Sequence, residues 1–193
     1  MNKTLKTISF ETLSEIIDFL LSGNYCDFDC SLFLPLFEDW NGLLYRGMYF
    51  PKEKLFPGTI VVEPLHGCTH WSIHESVARD YATEADNEDW FEEYGEEHGC
   101  GSVEETLDKL FTPTIFVINS PKYVFPAYQY IPEAIRQNVD FTQGSGDAQK
   151  EMQDQLLKES EVTIVDSDFI IREVSVRDGF TYCLVERAPA GRT

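Results

Sequence analysis

Residues 159–185 read ESEVTIVDSDFIIREVSVRDGFTYCLV, and this stretch decides the fold class. Glu161–Val165, Phe169–Val174 and Thr181–Val185 are rich in β-branched and aromatic residues and separated by short polar turns, so they predict three closely spaced strands. Toward the N-terminus the period changes. From Ser9 to Leu21 the residues Phe10, Leu13, Ile16, Ile17, Leu20 and Leu21 recur at helical spacing, with Gly23 as a stop signal. Helices first and strands later make the chain α+β.

The segments between fill in this outline. Leu43–Gly47 reads as a short strand ending at a glycine, Thr59–Val62 as a second strand that Pro64 ends, and Thr114–Ile118 as a third closed by Ser120 and Pro121. Ser72-Ile73-His74-Glu75 has the serine and glutamate of a capping box, followed by Val77, Ala78, Tyr81 and Ala82 on one face, which predicts a helix starting at Ser72. Residues 138–154, polar and carrying Gly144-Ser145-Gly146, predict a mobile loop or lid. Residues 83–108 form an acidic insertion whose charges are solvated and whose Trp90, Phe91 and Tyr94 suit docking. A length of 193 residues fits one domain with one core. Its parts are a helical region 1–42 and a core 43–185 interrupted by the insertion.

Charge and composition narrow the function. With 34 acidic and 15 basic residues the formal charge is −19, which repels nucleic acid and anionic lipid and favours a basic protein partner. The same charge also serves solubility alone. No run approaches the roughly 20 apolar residues of a membrane span. Glu11, Glu15 and Asp18 interrupt the first apolar stretch, which a signal-peptide core does not tolerate, so export is not expected. Five cysteines at irregular spacing read as reduced thiols, so the expected setting is cytoplasmic. No Gly-rich phosphate loop or GxGxxG pattern is present.

Three pieces carry candidate chemistry. Arg46, at a strand end, has a planar fork that can hold a diphosphate bidentately, and Gly47 after it lets a ligand approach the backbone. The competing reading of Arg46 is a surface ion pair. Ser72 leads a helix, where it is either a site hydroxyl or only the cap. Glu159 and Glu161 stand two apart, so a strand beginning there turns both carboxylates to one face. Alternatively they decorate an exposed strand edge.

In this order, from about Leu43 to about Val185, the three pieces resemble the R-S-E class of ADP-ribosyltransferases, especially the short phage-encoded mono-ADP-ribosyltransferases. The resemblance implies a two-sheet, mostly antiparallel β core behind N-terminal helices. It implies NAD⁺ as substrate, held by Arg46, Gly47, His70 and Ser72, with Glu161 stabilising the oxocarbenium-like ribose as nicotinamide leaves. Glu159 then orients and deprotonates the acceptor, which by the same resemblance is an arginine of a protein, expected to be a basic host protein met in the host cytoplasm if the chain is phage-encoded. The loop before Glu159 would face the target, with Phe141 as its contact aromatic. One departure stands out: the family's Ser-x-Ser places its first serine on His70 and its second on Ser72. A histidine can donate to the carboxylate in the serine's place, and Thr69 offers another hydroxyl.

Two other functions compete. One is a catalytically degenerate acidic protein on the same scaffold that binds and inhibits a basic target. The other is a zinc-dependent protein using His66, Cys68, His70 and His74, with His98 and Cys100, but their spacing matches no familiar zinc module, so no metal is expected in the site.

Overall fold

The computed structural model describes residues 8–22, 33, 35–61, 68–85, 88–141, 146–165 and 168–188. Helix α1 spans Phe10–Ser22, as its apolar spacing predicts, and buries Leu13, Ile16, Ile17 and Leu20. Ser9 caps it by accepting the Thr12 amide at 3.2 Å. Gly23, the predicted stop, lies outside the described residues.

The eight strands in chain order are β1 (Leu43–Pro51), β2 (Ile60–Val61), β3 (Cys68–Ser72), β4 (Phe111–Asn119), β5 (Val124–Phe125), β6 (Glu161–Val165), β7 (Phe169–Arg177) and β8 (Phe180–Arg187). They form one hydrogen-bonded sheet in the order β2-β7-β8-β4-β1-β3-β6-β5. Every pairing is antiparallel except β4 with β8. The expected two sheets are therefore one, yet the expectation has a physical trace. β1 and β4 pair along their whole length, and β3 and β6 pair from Cys68↔Val165 to Ser72↔Glu161, whereas the two halves meet among the described residues through the single pair Tyr45↔Ser72.

Three apolar clusters hold the layers. Alternate residues of β4 and β8 point to opposite faces. Phe116 and Cys183 join a core with Leu44, Trp71, Val162, Ile164 and Phe169. Ile115 and Tyr182 instead meet Ala78 and Ala82 of helix α2 (Glu75–Ala82). The third cluster joins α1 to a 3-10 turn at Ala127–Tyr130, helix α5 (Ile131–Arg136) and helix α6 (Gly146–Glu159).

Several expectations change here. The acidic segment contains two helices, α3 (Glu88–Glu97) and α4 (Val103–Leu110), and its aromatics dock as expected: Trp90, Phe91 and Tyr94 surround Phe111, with ring centroids 5.6, 5.1 and 5.2 Å away. The lid expected over 138–154 is largely α6, because Met152 and Leu156 one turn apart give this polar segment an apolar stripe against the helical core. Residues 142–145 of that stretch lie outside the described residues. Phe141 is fully buried in the same core, so it packs instead of contacting a target. Helix α2 begins at Glu75, not Ser72, because the chain remains a strand as far as Ser72. Among the described residues, no helix is long and apolar enough to cross a membrane.

Candidate active site

A cleft of about 800 Å³ opens beside the seam between the two halves of the sheet. Arg46, Gly47, His70, Ser72, Glu159 and Glu161 all line it, together with parts of α1, α2, α3 and α6. The sequence places these six residues as far apart as 115 positions, and the fold brings them together.

Arg46 sits on β1 opposite Phe116 of β4, and one of its terminal guanidinium nitrogens is shielded from solvent. Gly47, next along the strand, has a different physical reason for being glycine from the one its sequence context implies. A Cβ there would stand 1.7 Å from the carbonyl oxygen of Ala78 and 2.7 Å from the amide nitrogen of Ala82, so α2 rests directly on the β1 backbone. Gly47 thus sets how close one wall of the cleft comes to the strand that carries Arg46.

On the other half, β3 and β6 run antiparallel with His70 opposite Thr163 and Ser72 opposite Glu161. His70 Nδ1 makes a hydrogen bond with Glu161 Oε1, and Thr163 Oγ1 donates to the same oxygen at 3.3 Å. The two side chains of the pair are only 22% and 13% exposed, so their interaction is less screened than that of a surface pair. The Phe19 ring of α1 lies 5.7 Å from the His70 ring and closes that side. Thr69 is turned away: it is buried, accepts the Trp71 indole N–H at 2.7 Å and serves the core.

The two glutamates do not share a strand. Glu159 ends α6, Ser160 takes a left-handed φ of 47°, and β6 starts at Glu161. That turn, not strand alternation, presents both carboxylates to the cleft. Glu159 Oε1 accepts the Tyr81 hydroxyl at 2.9 Å and the Gln155 side-chain amide at 2.9 Å. Burial first, and then the bond to Glu159, push the Tyr81 phenol above its ordinary range. Ser72 lines the cleft, but its hydroxyl is engaged with backbone groups. It is 5% exposed, donates to the Glu159 carbonyl oxygen at 2.6 Å and accepts the His74 amide at 3.0 Å.

Sequence reading missed Thr163, Tyr81 and Gln155 as parts of the site. Tyr81 was visible only as one of the apolar residues of α2, and Gln155, one residue beyond the segment read as a loop, carried no signal. For the zinc reading, no group of three His, Cys, Asp or Glu among the described residues is placed to hold a metal. His98 bonds the Tyr94 carbonyl oxygen and stacks on its ring, and Cys100 is buried and free. His66 lies outside the described residues.

No protein-family model matches the chain, and neither does the sequence of any curated protein. Solved structures that match its fold include three of one enzyme. Vis toxin, an ADP-ribosyltransferase from Vibrio splendidus, superposes with a TM-score of 0.54 at 18% identity, covering 95% of this chain and 75% of that one. The same enzyme in complex with the M6 inhibitor gives the same values. Its complex with agmatine gives a TM-score of 0.53 at 17% identity, covering 98% of this chain and 78% of that one. The chain therefore has the fold of these ADP-ribosyltransferases.

Proposed function

We propose that this protein is a mono-ADP-ribosyltransferase of the R-S-E class, which cleaves NAD⁺ at the nicotinamide–ribose bond and passes ADP-ribose to an arginine of a protein. The observation that carries the reading is the convergence of Arg46, the His70–Glu161 pair and Glu159 on one cleft, in a chain with the fold of Vis. A volume of about 800 Å³ suits a dinucleotide. Arg46 would clamp the diphosphate through its planar fork.

Glu161 stabilises the positive charge that develops on the ribose as nicotinamide departs. His70 and Thr163 both bond its Oε1, which holds the carboxylate still and leaves Oε2 for a ribose hydroxyl. His70 thereby takes the part of the family's first serine. Glu159 receives the proton of the acceptor guanidinium, and agmatine, bound by Vis, is itself a small guanidine. A basic protein is the acceptor that a formal charge of −19 favours, met in the cytoplasm of a host cell if the chain is phage-encoded.

The test is release of nicotinamide, with label transfer from NAD⁺ to proteins of a bacterial lysate. Wild type should label discrete proteins, and Glu161→Gln should turn over about a hundredfold more slowly. Wild-type protein that releases no nicotinamide, or Glu161→Gln at full rate, would overturn the reading.

A further inference from the structure

Tyr81 is an exposed aromatic that lines the cleft, with 38% of its surface open to solvent. Burial covers only part of the side chain, and its hydroxyl is the atom that finds a specific partner. That hydroxyl lies 2.9 Å from Glu159 Oε1, and the amide of Gln155, one helical turn before Glu159, lies 2.9 Å from the same atom. Both donors fall on one carboxylate oxygen. Among the described residues, Oε2 takes no hydrogen bond.

The two donors come from different elements, Tyr81 from α2 and Gln155 from α6. α2 is fixed by its contact with Gly47, and the end of α6 by the bond from Ser72 to the Glu159 carbonyl oxygen. Lys158 and Asp80 also face each other across the two helices at 3.8 Å, but both are largely exposed and contribute little. The phenol remains protonated well above neutral pH, so it stays a donor wherever the protein works.

We infer that Tyr81, assisted by Gln155, is a positioning residue for the acceptor half of the reaction: by fixing Glu159 Oε1 it turns Oε2 to the incoming guanidinium and sets how ADP-ribose divides between acceptor and water. This rests on the transferase reading above. In the step concerned, the bond from ribose C1′ to the nicotinamide nitrogen breaks and its electron pair leaves with neutral nicotinamide. A guanidinium nitrogen supplies the pair for the new bond to C1′ and loses one proton, which Glu159 Oε2 receives and passes to water. When water is the nucleophile instead, its oxygen supplies the pair and gives up one proton to solvent, and the same C1′–N cleavage yields free ADP-ribose. A carboxylate free to rotate serves water as readily as a guanidinium, whereas one held by two donors favours the larger acceptor through orientation.

The experiment follows both fates of NAD⁺ in the full chain, with agmatine as acceptor. Nicotinamide release reports total cleavage, and ADP-ribosylagmatine reports transfer. Tyr81→Phe, which keeps the ring and removes only the hydroxyl, should lower the ratio of transfer to hydrolysis about tenfold, and Gln155→Met should lower it by a smaller factor in the same direction. A general loss of structure lowers both products together and leaves the ratio where it was. An unchanged ratio in Tyr81→Phe, or equal loss of both products, overturns the inference while leaving the transferase intact. A wild-type protein that releases no nicotinamide overturns the transferase reading and this inference with it.

Discussion

Ser72 Oγ donates a hydrogen bond of 2.6 Å to the carbonyl oxygen of Glu159, tying the last residue of one central strand to the last residue of α6. The two residues are 87 positions apart in the chain. Because Ser72 also accepts the His74 amide, one hydroxyl secures the turn leaving β3 and the turn entering β6.

Ser72→Ala should therefore cost about 1–3 kcal/mol, since it leaves a carbonyl oxygen and an amide with fewer partners in a buried place. Urea unfolding of the two proteins measures it. A midpoint equal to wild type would mean that water replaces the hydroxyl at no cost.

Gly47→Ala should be destabilising even though alanine is otherwise tolerated in strands. The added methyl would overlap the Ala78 carbonyl, and α2 would have to move outward. Overpacking of this kind costs about 2 kcal/mol, or a fall in Tm of roughly 4–8 °C for a chain of this size. Thermal unfolding followed by circular dichroism reads the shift.

His70→Ala should slow nicotinamide release by about tenfold or more, the loss expected when a carboxylate gives up one charge-assisted hydrogen bond. His70→Ser should recover most of it, because the smaller hydroxyl donates to the same carboxylate. Steady-state rates of nicotinamide release decide this, and equal damage in both variants would mean that the imidazole does more than hold Glu161.

Burial pushes the Cys183 thiol up to about 12 from its ordinary 9.0. The folded protein keeps this thiol protonated while the unfolded chain ionises it, so the unfolded state gains as pH rises through 9.0 and stability falls from there toward about 12. Native Cys183 should also resist thiol reagents at about pH 8 and react once the chain is unfolded. Labelling followed by peptide mass analysis, with and without denaturant, tests both the burial and the protonation.

Much of the sheet was legible because strand signals are local. β6 runs over Glu161–Val165 as read, and β7 and β8 extend their predicted runs by a few residues into a hairpin whose turn is Asp178-Gly179. α6 was hidden because buried Leu156 and half-buried Met152 stand in a run of polar residues, and such a helix is held by tertiary contact more than by its own pattern. The site residues Arg46, Glu159 and Glu161 were read from short motifs, but their geometry was not. Strand alternation gave the right company for the two glutamates and the wrong cause, since the left-handed turn at Ser160 does what a shared strand face was expected to do. Tyr81 illustrates the remaining gap: its partner lies 78 positions away, and no local pattern encodes a hydrogen bond across that distance.

Among the described residues the two halves of the sheet are joined by the pair Tyr45↔Ser72, and one core spans the join, with Leu44 and Phe116 from one side and Trp71 and Val162 from the other. Arg46 follows Tyr45 directly in the chain, and Glu161 is the strand partner of Ser72. Both therefore stand where one packed core locks the two halves together, so a side chain lost from that core would disturb the separation of Arg46 and Glu161 even though it touches neither of them.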